Sequence, residues 1–410
     1  MYDLFVFYIH KINKLKHLKG HKMIDLNKNK NGGMVVVTAD AGAGSSGKGC
    51  LNSWLADSYD FHIATNNWAS NAGHFTELDR GTRILVQHIP SAFVNKSTEL
   101  YINAGASIDI DILLKEIDML EGLGFPIKNR LSIHPHANII TNEDKETEKK
   151  LIKSGSTFKG CGAALAGKTL RAGRKLAKDY AELTEVARIK DMTYILNMEV
   201  SLGMRVLIEG SQGIDLDINH AEFPYCTSRQ TTPAQLVADA GIAMEAITNT
   251  ILNVRTNPIR INNESAAKPG EMCYSGNYWG AKEITWQDIA KQSGYDSYEN
   301  FLYDYEFALM TSVTKKVRRV FEFPTDRMKY IHALCGGLLP NNNLLYSLNF
   351  VNFIDRNVRG KTESSEILTP KVNDWLEKYF YPAVGRGNLK WIRTGPRHSE
   401  IAEIPMLIKF

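Results

Sequence analysis

The sequence predicts an α/β fold, a single large domain with a mostly parallel central sheet and a P-loop-like phosphate loop near its start. Three observations predict it. Short apolar runs without alternation recur along the chain, as strands covered on both faces require. Helical patterns lie between them, and strand–helix alternation favours a parallel sheet. The first apolar run leads directly into a glycine-rich loop ending in lysine.

In chain order, the strand candidates are 34–38, 61–64, 84–88, 131–134, 205–209, 251–255 and 344–350. The clearest helix spans 109–121, with Ile112, Leu113, Ile117 and Leu120 on one side, and Gly122 and Gly124 end it. Further helices are expected over 233–246 and 371–380. No linker or internal repeat divides the chain after Met34, so residues 34–410 are read as one domain with insertions.

The 410 residues are 43% hydrophobic and 23% charged, which excludes a disordered chain and a membrane protein. Lys plus Arg is 49 and Asp plus Glu is 45, too balanced for a nucleic-acid scaffold. The excess is local: residues 1–33 hold seven Lys and two acids. Their apolar run, Leu4 to Ile9, precedes the lysines and no small-residue cleavage site follows, the wrong order for a signal peptide. Residues 1–33 are therefore read as an N-terminal extension, a disordered tail or the product of an upstream start. An address signal or interaction arm is the alternative. Cys50, Cys161, Cys226, Cys273 and Cys335 form no CxxC pair and are odd in number. Reduced thiols in a cytoplasm are expected (a host's, if the source is viral), and no zinc site.

Val35-Val36-Val37-Thr38 runs into Ala41-Gly42-Ala43-Gly44-Ser45-Ser46-Gly47-Lys48-Gly49. Small residues let backbone amides turn inward around a phosphate, and a helix N-terminus and Lys48 add positive charge. Gly42-x4-Gly47-Lys48 has P-loop spacing, but Gly49 stands where a P-loop places Ser or Thr. Phosphate binding is expected; ordinary P-loop NTPase chemistry is not.

The Gly-Lys-Gly ending and the motifs downstream resemble the adenylosuccinate synthetase family, from Met34 nearly to the C-terminus. Ser70-Asn71-Ala72-Gly73-His74 resembles its NNAGH loop, and Gln87-His88-Ile89-Pro90-Ser91 its HLIPSG. Gly155-Ser156-Thr157 stands for GTT, with Arg171 at the family's spacing. Glu209-Gly210-Ser211-Gln212-Gly213, Leu216-Asp217-Ile218 and Thr227-Ser228 resemble EGAQG, LDID and TSS; Thr394-Gly395-Pro396 resembles STGP. The resemblance implies a ligase that phosphorylates a purine O6 and then displaces the phosphate with the amine of L-aspartate.

It also implies roles. The catalytic residues would be His74, Lys48, Gln212 and Ser45, with His74 donating to the transferring phosphoryl. The purine nucleotide would meet Ser45, Ser46, Gly47, Lys48, Asn71, Ala72, Gly73, His74, Thr157, Arg171, Gln212, Thr227 and Lys316. Arg171 would come from the other subunit of a homodimer. L-aspartate would meet Val313, Thr314, Lys316 and Arg318. The donor triphosphate would meet Gly44, Gly47, Gly49, Arg318, Asn349, Thr394, Gly395 and Pro396. Mg2+ is implied, at Gly73 and Ser45.

Three departures bear on substrate. The family loop reads GDEGKG, whose aspartate is a general base; here Ser45 and Ser46 replace both acids. A small hydroxyl makes room beside C2 of a purine, where guanine carries an amino group. This pattern resembles the phage and archaeal branch that makes N6-succino-2-amino-2′-deoxyadenylate from dGMP for 2-aminoadenine DNA. Ser347 and Asn349 stand in the register of the family's guanine-reading KLD, and an amide suits adenine better than guanine, so ATP or dATP is the expected donor. Lys316 replaces an arginine, keeping the charge but losing the fork. The alternatives are an ordinary synthetase acting on IMP and a nucleotide-binding regulator without turnover. Neither nucleic acid nor membrane is expected as a partner.

Overall fold

The computed structural model describes residues 26–78, 81–152, 156–171, 173–261, 274–310, 317–340 and 342–404. In chain order the strands are β1 (Met34–Asp40), β2 (Ile63–Asn66), β3 (His74–Glu77), β4 (Arg83–Val86), β5 (Glu99–Ile102), β6 (Ser107–Ile108), β7 (Leu131–Ile133), β8 (Asn138–Ile139), β9 (Arg188–Ile189), β10 (Arg205–Glu209), β11 (Asn249–Arg255), β12 (Ile259–Ile261), β13 (Glu283–Ile284), β14 (Arg318–Phe321), β15 (Leu344–Asn349), β16 (Leu389–Arg393) and β17 (Ile401–Glu403).

Among the described residues, ten strands form one sheet in the order β17-β16-β15-β11-β1-β10-β2-β5-β7-β9. Every pairing is parallel except β16 with β17. Its two faces are covered separately. Val35, Val37, Ile208, Leu252 and Leu348 join one apolar cluster with the helix Pro233–Ala240 and the C-terminal helices. Val36, Leu207 and Ile251 join the other, against the helices Lys48–Tyr59 and Ile110–Gly122. Burial on both sides explains why the strands read as unbroken apolar runs.

Two expectations are corrected. The run at 84–88 is not a strand of the main sheet: β4 pairs antiparallel with β3 in a separate hairpin. Only alternate residues, Ile84 and Val86, are fully buried there, as in a strand covered on one face. The helix expected over 233–246 stops at Ala240 because Gly241 takes a left-handed conformation. Of the segment set aside as an extension, residues 26–33 lie against the body. Leu26 is buried, Asn27 exchanges hydrogen bonds with Asn249, and Asn29 and Asn31 donate to the Val200 and Ser201 carbonyls. Residues 1–25 lie outside the described residues. Among the described residues, no helix is long and apolar enough to cross a membrane.

Candidate active site

A cleft of about 610 Å³ opens at the carboxyl ends of β1, β10, β11, β15 and β16. Open parallel sheets bind ligands at that edge. Strand β1 ends in Asp40, and the chain turns through Gly44 and Gly47, both with positive φ, before the helix Lys48–Tyr59 begins. The helix has no side-chain cap, so its first amides face the cleft end of the loop. The structure explains Gly49: a Cβ there would lie 2.3 Å from the Phe75 carbonyl oxygen. The β3 backbone thus excludes the hydroxyl side chain of an ordinary P-loop.

The loop is held from below and above. Below, the Asp40 carboxylate accepts from the Gly42 amide at 2.7 Å, from Lys48 Nζ at 3.0 Å and from the Ser46 hydroxyl. Lys48 Nζ also donates to the Gln212 carbonyl at 2.7 Å. Ser46 is buried with its hydroxyl turned away from the cleft, so of the two serines only exposed Ser45 presents its side chain. Above, Arg318 Nη2 donates to Ser45 Oγ at 3.1 Å and Arg255 Nη1 to the Ser45 carbonyl at 2.6 Å. Arg255 also lies over the Phe350 ring, 3.9 Å from its centre. Burial, then neighbouring Arg318, lowers the Arg255 pKa to about 9; burial lowers that of Arg318 to about 10. Both stay cationic near neutrality, and the crest of the loop is a place for anions.

His74 opens β3 with its ring stacked on Trp68, centres 3.6 Å apart and planes within 5°. Trp68 is anchored by its indole N–H to the Glu209 carbonyl at 2.8 Å. Burial, with Lys48 second, pushes the His74 pKa well below the usual histidine value. The imidazole is neutral at pH 7, and its buried Nε2 has no partner. A neutral ring with a fixed plane can present one N–H to an anionic oxygen.

Of the residues expected from sequence, Gly44, Ser45, Ser46, Gly47, Lys48, Gly49, Asn71, Ala72, Gly73, His74, Thr157, Gln212, Thr227, Arg318, Asn349, Gly395 and Pro396 all line this one cleft. Thr394 does not; it is buried and its hydroxyl donates to the Lys361 carbonyl. Arg171 is exposed at the end of the helix Cys161–Leu170 and outside the cleft lining. Ser347 is buried in the sheet. Gly155, Cys273, Val313, Thr314 and Lys316 lie outside the described residues. Sequence reasoning missed Asp40, Trp68, Arg255 and Arg393. Three of these, Asp40, Arg255 and Arg393, are polar residues ending buried strands with parallel neighbours, a pattern present in the sequence.

Fold and cleft together define a nucleotide-binding α/β protein with a loop built for phosphates. The adenylosuccinate synthetase model matches residues 35–186 and 174–263, and the chain belongs to this family. It is 30% identical over 327 residues to N6-succino-2-amino-2′-deoxyadenylate synthase of Vibrio phage phiVC8, covering 78% of this chain and 86% of that protein. It is 29% identical over 352 residues to the protein of the same name from Salmonella phage PMBT28, covering 80% and 88%. Among solved structures it resembles the succinoaminodeoxyadenylate synthetase of cyanophage S-2L bound to dGMP and to dATP as an energy donor. That match has a TM-score of 0.71 at 25% identity over 91% of this chain and 96% of that one. Adenylosuccinate synthetase from Plasmodium falciparum shares the fold, with a TM-score of 0.71 at 16% identity over 90% and 99%.

Proposed function

We propose that this protein is a ligase joining L-aspartate to C6 of dGMP through a 6-phosphoryl intermediate. ATP or dATP is the donor, and the product is N6-succino-2-amino-2′-deoxyadenylate. The observation that carries this reading is Ser45. It stands at the loop crest with no acidic side chain, and its hydroxyl accepts from Arg318. The crest therefore leaves room for a 2-amino group where the family's loop carries an acid. The phage relatives and the cyanophage structure bound to dGMP and dATP support it.

In this reading the loop amides and Lys48 hold the phosphoryl being transferred, Lys48 shifting from Asp40 and the Gln212 carbonyl toward the phosphate. His74 donates its N–H to that phosphoryl as the purine O6 attacks it; the bond to the β-phosphate breaks, the nucleoside diphosphate leaves, and the purine N1 proton passes to solvent. The aspartate amine then attacks C6 and loses a proton to solvent, and the C6–O bond breaks as phosphate leaves. Gln212 holds the purine edge. Thr157 and Thr227 hold the 5′-phosphate, with Arg171 reaching across a homodimer. Arg318 receives a carboxylate of L-aspartate, and the family resemblance assigns Val313, Thr314 and Lys316 to the same ligand. Asn349, Gly395 and Pro396 border the donor. The described residues contain no group of three His, Cys, Asp or Glu able to cage a metal. Mg2+ therefore fits best on the triphosphate itself, with Gly73 offering a backbone oxygen, where it would neutralise phosphate charge. Ser45 fits poorly as a direct ligand, because the Arg318 guanidinium that donates to its oxygen sets a positive charge beside it. The test is product identification by mass spectrometry after incubation with dGMP, L-aspartate, Mg2+ and ATP. The succino adduct with stoichiometric phosphate is expected; ATP hydrolysis without adduct would contradict the reading.

A further inference from the structure

His74 is held by the face of its ring. Among the described residues no hydrogen bond reaches the imidazole, and its buried Nε2 is without a partner. The plane is set by Trp68, whose indole lies parallel to the imidazole with centres 3.6 Å apart, at van der Waals contact. Trp68 is itself fixed. It is fully buried in the apolar cluster of Leu51, Leu55, Ile84 and Val86. Its indole N–H donates to the Glu209 carbonyl at 2.8 Å, and its own carbonyl accepts from the Ser107 amide at 3.1 Å. Glu209 ends β10, and its carboxylate accepts from the Ser91 and Ala92 amides at 2.9 and 3.0 Å and from Asn52 Nδ2 at 3.0 Å. Asn52 belongs to the helix Lys48–Tyr59 behind the phosphate loop. The chain runs on from Glu209 to Gln212 in the cleft, so one strand end frames both Gln212 and His74.

We infer that Trp68 is a positioning residue for phosphoryl transfer: its indole, hung on the Glu209 carbonyl, fixes the plane in which His74 presents its N–H to the phosphoryl. This rests on the proposed role of His74 in the reaction. Trp68 touches no reacting atom, because it is fully buried and outside the cleft lining. It acts through the ring stacked on it. Without that face the imidazole is free to turn about its two side-chain bonds, and a turn displaces both ring nitrogens. A misplacement of about 1 Å at a reacting group costs on the order of a hundredfold in rate. The contacts that hold Trp68 lie on the core side of the loop, so His74 is aimed before any nucleotide arrives.

The test is a double-variant cycle on the full-length protein, with kcat and KM read from phosphate release with dGMP, L-aspartate and ATP. Trp68→Leu should lower kcat about ten- to a hundredfold and leave KM for dGMP and ATP unchanged. In a His74→Ala background the same substitution should cost nothing further, because its effect passes through His74. An equal loss in both backgrounds, or a raised KM with kcat unchanged, overturns the inference. Should the leucine variant fail to fold, Trp68→Phe takes its place in the cycle. A ring face remains but its tie to Glu209 is gone, so kcat should fall about three- to tenfold, again only where His74 is present. An unchanged kcat there overturns the inference as well. A calorimetric arm needs no ligase activity: ADP, aluminium fluoride and dGMP are added without L-aspartate. Wild type should bind this phosphoryl-transfer mimic about tenfold more tightly than the Trp68 variant, while ADP alone binds both equally. If wild type makes no succino adduct yet keeps that difference, the ligase reading fails and the role of Trp68 stands. Equal binding of the mimic overturns it.

Discussion

Replacing Ser45 with aspartate returns a carboxylate to the crest of the phosphate loop. Ser45 has φ 55°, a left-handed conformation that aspartate tolerates better than most residues, so the backbone need not move. The new carboxylate would stand where Ser45 Oγ lies 3.1 Å from Arg318 Nη2. A charge-assisted hydrogen bond to a buried guanidinium contributes about 1.5–3 kcal/mol. Arg318 would then be occupied before L-aspartate arrives. At about 1.4 kcal/mol per tenfold, KM for L-aspartate should rise roughly ten- to a hundredfold. The same carboxylate would crowd the 2-amino group of dGMP, so kcat/KM should fall more with dGMP than with IMP or dIMP, which lack that group. The assay is steady-state phosphate release with each purine nucleotide at saturating ATP, titrating L-aspartate. Higher dGMP turnover in Ser45→Asp would refute the reasoning and mark Ser45 as a damaged base.

Three further perturbations follow from the same geometry. His74→Ala should keep dGMP and ATP affinity but lose about 10²–10⁴-fold in kcat, the usual contribution of a positioned proton donor; a wild-type kcat removes His74 from the chemistry. Asp40→Asn breaks an ion pair in which Lys48 and Asp40 are 5% and 1% exposed, so urea denaturation should show a loss of about 3–5 kcal/mol. That loss should shrink when saturating ATP gives Lys48 a phosphate partner, and an unchanged midpoint would show the pair to be incidental. Mixing inactive Arg171→Ala with inactive His74→Ala should restore partial activity if Arg171 completes a partner's site; verified subunit exchange without rescue places it elsewhere.

Much of this was legible in sequence because the chemistry sits in short contiguous runs. The loop 41–49, the turn 70–74 and Glu209 to Gln212 each follow a strand or open one, so their assembly around one cleft follows once the sheet is parallel. What escaped was set by long-range packing. Strand β5 (Glu99–Ile102) carries only three fully buried residues and needs the sheet to define it, and β9 has only two residues. Ile84 and Val86 read as a core strand, yet among the described residues β4 pairs only with β3. Asp40 and Trp68 could be seen as residues, but their partners Lys48 and His74 are reached only after the loops fold back. The Asn349 amide nitrogen faces Asn253 and Val254 on the neighbouring strand, 96 and 95 positions away, and only the sheet register brings them together.

Selection of a 2-aminopurine nucleotide by the unacidic loop crest can be read in a single competition. Equal dGMP and IMP are supplied with L-aspartate, Mg2+ and ATP, and both succino products are counted in one reaction by mass spectrometry. The 2-amino product should dominate in wild type, and Ser45→Asp should move the ratio toward the IMP product. Dominance of the IMP product in wild type would contradict it.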